Sequence, residues 1–390
     1  MSFTSSRRST RLCTVATALV AFAGSASAQV ANPSFEDAGD LPQVFAGWTD
    51  FGNAIPNIYR DATAARTGGF GCKMFGQFSG GFNASGVFQD FATTRGQQWD
   101  GSVWASHLSA DPLINTGFGA LNVEFRGEGD QLLEYYTILA ADALTPTDTW
   151  FQRSIQAIAP ENCETARIVC IFLQPDFGDT GAILFDDASL TAVGAPLTDI
   201  LNPGFEAAAP APSIRATRGW GEFGNNGTGN IRIDNLLPRS GQTCVAMYGQ
   251  FTGSQNYTGV YQSKPCAAGD NVTAEIWSAH PGVDPLAGGN AGFLNVEFYD
   301  VNNTLIQPIL TAPCVDGSSP TDTYFRSEVQ AVAPAGAVRA RIAVGLSQPA
   351  LGTGNIFFDD AALTIDSAPP SCPGDANGSG SVNGADLSVL

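Results

Sequence analysis

Seven residues near the end of the chain have the types and spacing that suit a hard cation. Asp375, Asn377 and Ser379 stand at positions one, three and five of a loop. Gly380 takes position six, where the chain must turn sharply. Ser381 offers a carbonyl at seven, Asn383 stands at nine and Asp386 closes at twelve. Oxygen ligands at these intervals wrap calcium. Only two of them are carboxylates, so the expected affinity is modest.

A second set of polar residues recurs in pairs. Gln77, Gln89, Asn122 and Glu124 return as Gln250, Gln262, Asn295 and Glu297. The only two histidines, His107 and His280, are also matched. Planar amides and carboxylates suit sugar hydroxyls, so these ten residues are candidate ligand contacts. The matching alternatives are plain solvent surface for the Asn and Glu pairs and hydrogen-bonded structure for the histidines. Trp48, Trp104, Trp220 and Trp277 offer flat faces for sugar C–H surfaces, although large aromatics on strands more often fill the core. Catalytic signatures are weak. His-Glu-x-x-His and Gly-x-Ser-x-Gly are absent. One histidine per copy without a neighbouring nucleophile makes no triad. Paired carboxylates can hydrolyse glycosides, but the constellation would have to occur twice. The chain reads as a non-enzyme.

The pairs exist because the chain from Asn32 to Thr191 is written again from Asn202 to Thr364. Asn32-Pro33-Ser34-Phe35-Glu36 returns as Asn202-Pro203-Gly204-Phe205-Glu206, and Leu121 to Phe125 returns unchanged 173 residues on. That period is domain-sized and too long for a solenoid. Leu121, Val123 and Phe125 alternate with Asn122 and Glu124, the period of a half-buried strand. Arg167 to Phe172 and Ala182 to Phe185 read as buried strands. With 44 Gly and 23 Pro, long helices are disfavoured. Short strands with turn signals between them predict an all-β chain of two tandem β-sandwich domains.

Residues 1–28 read as a signal peptide: Arg7, Arg8 and Arg11 precede an apolar stretch from Leu12 to Gly24, and Ala26-Ser27-Ala28 fits a cleavage site. That stretch is too short to span a membrane. A secreted product is expected. Its formal charge of −19 becomes −22 without the three signal arginines. Such a chain is poorly suited to nucleic acid, where Lys and Arg must neutralise phosphate. Seven cysteines remain after Cys13 is removed. Export permits disulfides, and Cys163 with Cys170 and Cys266 with Cys314 are candidate pairs because each pair sits within one copy. The odd count leaves one thiol over.

The order of motifs carries a family resemblance. Asn-Pro-x-Phe-Glu opens each copy, Gly-Trp follows at Trp48 and Trp220, and Gly-Val-Phe/Tyr-Gln comes next. A strand with Trp104 or Trp277 follows, and Phe-Asp-Asp-Ala-x-Leu closes the copy. This order resembles the CenC-type carbohydrate-binding modules of families 4, 9 and 22. The resemblance implies a galactose-binding-like jelly roll and a polysaccharide or glycan as partner. It also implies structural calcium where the module ends meet, at Glu36 with Asp186 or Asp187, and at Glu206 with Asp359 or Asp360. The middle of each copy, near Asp111 and Asp284, departs from the family, so the ligand's identity does not carry over. The tail loop resembles half of a dockerin module, which would imply a cohesin-like or cell-surface partner. The expected organisation is signal peptide 1–28, modules 29–193 and 194–366, and a linker with partial calcium loop at 367–390. Tandem copies suit a repetitive polymer, because the second contact becomes intramolecular. The alternatives are a structural or adhesive surface protein and a polysaccharide-degrading enzyme on the same fold.

Overall fold

The computed structural model describes residues 29–77, 81–209, 215–224 and 229–367. The expected signal peptide and the whole calcium loop, Asp375 to Asp386, lie outside the described residues, as does Cys372. Within them no helix is long and apolar enough to cross a membrane.

The fold is all-β, as expected. The first module contains β1 (Thr49–Gly52), β2 (Ile58–Asp61), β3 (Gly71–Phe75), β4 (Asn83–Ala92) and β5 (Gln98–Ser106), followed by β6 (Phe118–Gly127), β7 (Gln131–Ala141), β8 (Phe151–Ile158), β9 (Thr165–Gln174) and β10 (Ala182–Val193). The second contains β11 (Gly221–Phe223), β12 (Ile231–Asp234), β13 (Cys244–Tyr248), β14 (Asn256–Pro265) and β15 (Asn271–Ala279), followed by β16 (Ala291–Tyr299), β17 (Leu305–Asp316), β18 (Phe325–Val332), β19 (Arg339–Gln348) and β20 (Asn355–Asp366). The sheet orders are β1-β4-β9-β6-β7 and β2-β3-β10-β5-β8, and the second module repeats them as β11-β14-β19-β16-β17 and β12-β13-β20-β15-β18. All pairings are antiparallel. Each module is therefore two facing sheets around one core, and side-chain alternation decides what each face carries. On β6, Leu121, Val123 and Phe125 are fully buried while Asn122 and Glu124 point the other way.

The opening motif does not form a strand. It is a folded turn. Asn32 and Phe35 take left-handed backbone, as do Asn202 and Phe205. The Asn32 amide donates to the carbonyls of Asp37 and Ala46 and accepts from the Asp37 N–H. Asn tolerates this conformation because its side chain bonds locally. Phe35 then drops into the core against Trp48, 4.9 Å between ring centres, and Phe205 does the same against Trp220. Trp48 and Trp220 are core residues whose indole N–H groups donate to the Asn32 and Asn202 carbonyls. Trp104 and Trp277 differ. They are half-buried on the outer sheet face, under the guanidinium groups of Arg66 at 3.5 Å and Arg239 at 3.7 Å.

The disulfide expectation is corrected. All six described cysteines are free thiols. Cys163 lies in the turn before β9, its thiol on the Thr165 carbonyl, whereas Cys170 points from β9 into the core. About half of β9 separates the two. Cys266 follows β14 and Cys314 lies on β17, which are not neighbours in the sheet.

The modules are docked. Glu134 on β7 is fully buried and accepts the Gly219 N–H at 2.6 Å. Glu161 accepts the Ser263 N–H at 3.2 Å, and its own N–H donates to the Gly219 carbonyl. Arg95 reaches across to the Gln262 side chain at 2.6 Å and the Asp199 carbonyl at 2.7 Å. The connecting segment is pinned too, with the Leu197 N–H on the Gly96 carbonyl.

Candidate functional site

In the second module, the outer face of the β11-β14-β19-β16-β17 sheet carries a cleft of about 840 Å³. Period-two alternation builds it. Tyr257 and Tyr261 come from β14, and Phe293, Asn295, Glu297 and Tyr299 from β16. Arg341, Ala343 and Ser347 come from β19 and Phe223 from β11. Two glycines let the rings lie low. A Cβ on Gly259 would come 2.3 Å from the Phe223 ring, and one on Gly345 would come 2.8 Å from the Phe293 ring. Phe223 and Tyr261 stack at 6.4 Å, and Tyr257 meets Phe293 edge-on at 6.0 Å.

The polar groups of the cleft are held in a chain. Tyr299 donates its hydroxyl to Glu297 at 2.7 Å and accepts from Arg341 at 2.8 Å. Burial and then the Glu297 carboxylate push the Tyr299 phenol up to about 12, so it stays protonated and can donate. Arg341 sits between two rings, 4.2 Å from Tyr261 and 4.3 Å from Tyr299. Thr311 donates to the Asn295 carbonyl oxygen at 2.9 Å. The cleft thus offers aromatic faces with oriented carboxylate, amide and guanidinium groups among them. Its size is in the range of small-ligand sites.

The corresponding face of the first module is built from different side chains. Ala84 and Ala120 stand where Tyr257 and Phe293 stand, and Ile171 and Leu173 replace Gly345 and Ser347. Arg126 replaces Tyr299 and pairs with Glu124 at 2.6 Å. Arg167, the counterpart of Arg341, covers the Phe88 ring at 3.8 Å and grips Asp90 through two bonds of 2.6 and 2.8 Å.

Of the polar residues expected at a site, Asn295 and Glu297 line the cleft, and Asn122 and Glu124 lie on the corresponding face of the first module. Gln89 and Gln262 are corrected to structural residues. Each is buried, with its amide clamped on both backbone groups of one residue, Ala31 or Leu201. They tie the opening segment of each module to β4 and β14. Gln77 donates to the Asn53 carbonyl and Gln250 to the Tyr257 carbonyl. His107 and His280 are likewise corrected. Both are 1% exposed. The Leu113 N–H donates to Nδ1 of His107, so Nε2 carries the proton and donates to the Thr145 carbonyl at 2.6 Å. His280 repeats this with Leu286 and Ser319.

The acidic pairs at the module ends are already occupied. A bulge at Asp186 and Asp187 breaks the alternation, and Asp187 takes left-handed backbone. Asp186 is therefore buried, accepting the Arg66 and Thr67 N–H groups at 2.7 and 3.0 Å. Burial still raises its carboxyl above the ordinary 3.8. Asp187 turns outward onto Arg66 at 2.6 Å, Ser34 and Thr67. Glu36 accepts the N–H groups of Gly69 and Phe70. The second module repeats the arrangement. Asp359 accepts from the Arg239 and Ser240 N–H groups, Asp360 pairs with Arg239, and Glu206 accepts the Gln242 N–H. Among the described residues no group of three or more His, Cys, Asp or Glu is disposed to share a metal. These carboxylates do not fit a calcium site as arranged, because the guanidinium groups of Arg66 and Arg239 hold the place of the cation.

The residues that sequence reading missed are Phe223, Tyr257, Tyr261, Phe293, Tyr299 and Arg341. The signal for three of them was present as difference: Ala84 against Tyr257, Ala120 against Phe293, and Arg126 against Tyr299.

No family model matches the chain, and no curated protein matches it. Solved structures do. The N-terminal CBM22-1–CBM22-2 tandem domain of Paenibacillus barcinonensis Xyn10C is 15% identical, with a TM-score of 0.32, and the match covers 88% of this chain and 99% of that one. TmCBM61, solved in complex with β-1,4-galactotriose, is 16% identical with a TM-score of 0.29 over 43% of this chain and 99% of that one. The C-terminal family 22 carbohydrate-binding module of Clostridium thermocellum Xyn10B is 15% identical with a TM-score of 0.28 over 42% and 92%.

Proposed function

We propose that this chain is a secreted, non-catalytic protein that binds polysaccharide through the cleft of its second module. The observation that supports this reading is the cleft itself. Rings from three strands lie low on a glycine floor, and Glu297, Asn295 and Arg341 are fixed between them. Sugars need both surfaces at once, flat apolar faces for C–H groups and oriented polar groups for hydroxyls. The first module acts as the support. Its own face carries Ile171 and Leu173 in place of Gly345 and Ser347, alanines in place of the Tyr257 and Phe293 rings, and ion-paired arginines. Calcium remains proposed for the tail loop alone, and anchoring to a cohesin-like or cell-surface partner is a proposal that rests on that loop.

The test is retention of the secreted chain on a panel of insoluble polysaccharides and its affinity for soluble ones. Tyr261→Ala, which removes the ring under Arg341, is expected to abolish retention. The matched change Phe88→Ala in the first module is expected to leave it intact. Equal loss from both changes, or retention by Tyr261→Ala, would refute the assignment of the cleft. Release of reducing ends during incubation would refute the non-catalytic reading.

A further inference from the structure

We propose that the cleft continues into the cavity between the modules, and that this end receives an anionic substituent of the glycan, a carboxylate or a sulfate. The inference rests on the reading of the cleft as a glycan site and adds the charge of the ligand. Continuity comes first. Glu222, Phe223, Tyr261 and Arg341 line both the cleft and the junction cavity, which measures about 1040 Å³. The first module contributes one wall, and its Asn162 side chain bonds the Tyr261 hydroxyl.

Charge is the second observation, and it comes from comparing the two copies. In the first module this end of the sheet holds two arginines, Arg126 and Arg167, against three carboxylates, Asp90, Glu124 and Asp130. Every one of the five is ion-paired. In the second module Ser263 stands at the position of Asp90 and Asn303 at that of Asp130. Thr165 is replaced by Arg339 and Arg126 by Tyr299. Asp300 replaces Gly127, so the balance becomes Arg339 and Arg341 against Glu297 and Asp300, and Asp300 accepts the Asn302 and Thr304 N–H groups rather than an arginine. Arg341 faces Glu297 at 3.8 Å. Arg339 donates to the neutral Asn303 side chain, its Nε is buried with no hydrogen-bond partner, and among the described residues no carboxylate lies within ion-pair distance of it. The two copies share a fold, and one has lost the counter-charges that neutralise this position in the other. Arg339, with no carboxylate partner among the described residues, lines that cavity in a chain of formal charge −19.

The other charged groups of the lining are Glu128, Glu164, Glu222 and Arg215. Glu222 is fixed in place, its Oε1 accepting the Ala216 and Thr217 N–H groups and the Thr217 hydroxyl. Glu128 and Glu164 stand exposed at the rim, where water screens them, and Arg215 adds positive charge to the lining. A planar guanidinium matches a carboxylate or sulfate through paired N–H donors.

The experiment measures affinity of the full secreted chain for a neutral xylan, polygalacturonate and dextran sulfate. The variants are Arg339→Gln, Asn303→Asp and Tyr261→Ala. Asn303→Asp is nearly isosteric and restores the carboxylate found in the first module. Tighter binding of at least one acidic polymer than of xylan is expected. That margin should fall roughly tenfold in Arg339→Gln and Asn303→Asp, with xylan affinity unchanged. Tyr261→Ala should lose every polymer. Which acidic polymer gains decides between carboxylate and sulfate. Equal affinity for neutral and acidic polymers, or an undiminished margin in Arg339→Gln, overturns the inference and leaves the cleft reading standing. A folded wild-type chain that binds no polymer overturns both.

Discussion

Glu134 makes the junction between the modules depend on pH. It is fully buried on β7 and bonded through Oε1 to the Gly219 N–H. Its other oxygen is buried without a hydrogen bond, and the nearest cation, Arg218, stands 3.9 Å away with its guanidinium over the Tyr136 ring. Burial outweighs the Gly219 bond and the attraction of Arg218 and Arg215, with Glu222 adding repulsion, and lifts the carboxyl from 4.5 to about 7. The folded state therefore prefers the protonated acid. Its contribution is fully present below pH 4.5, falls between 4.5 and 7, and is gone above that. The full swing is about 3 kcal/mol at 1.36 kcal/mol per pH unit. Glu134→Gln is neutral throughout and keeps an acceptor for Gly219. Thermal unfolding from pH 4 to pH 8 is expected to show the two proteins matched at the acid end. At pH 8 Glu134→Gln should be the more stable, by roughly 5–10 °C in Tm. Glu134→Ala, which strips the Gly219 N–H of its acceptor, should be weaker than Glu134→Gln at every pH. Parallel pH curves for wild type and Glu134→Gln would refute the argument.

Two further outcomes follow from the core and the module ends. Cys72 and Cys170, fully buried in the first core, correspond to Val245 and Val344 in the second, so Cys72→Val with Cys170→Val should cost less than about 1.5 kcal/mol. Burial raises both thiols, and native protein should leave them unlabelled by a thiol reagent that labels the denatured chain; rapid native labelling would contradict their placement. If Arg66 and Arg239 hold the place of a cation, chelator should leave the Tm of the modules unchanged while Arg239→Ala lowers it. A fall in Tm on chelation alone would show a bound cation at these carboxylates.

Sequence carried the fold well because the fold is a matter of alternation, and alternation survives in two copies. Leu121, Val123 and Phe125 sit inward as their spacing requires, and the duplication predicts the matched sheet orders. The site was less legible for the same reason. Identity between copies marks what both need, which is packing and tethering. Gln89 with Gln262 and His107 with His280 are identical because each clamps a backbone segment. The cleft lies where the copies part, at Tyr257, Phe293 and Arg339. The inward Asp of each pair could not be read from spacing either, since a bulge resets the alternation at Asp186 and Asp359.

The pinned connection between the modules has a mechanical consequence. Leu197, Asp199 and Gln262 are each bonded across the boundary, and Glu134 and Glu161 grip backbone amides of the opposite module. Such a joint resists hinging, because bending it would break several of these bonds at once. Were a polymer seated in the second module as proposed, tension on it would pass through these bonds into the first, and the pair would turn as one lever rather than as two beads on a string.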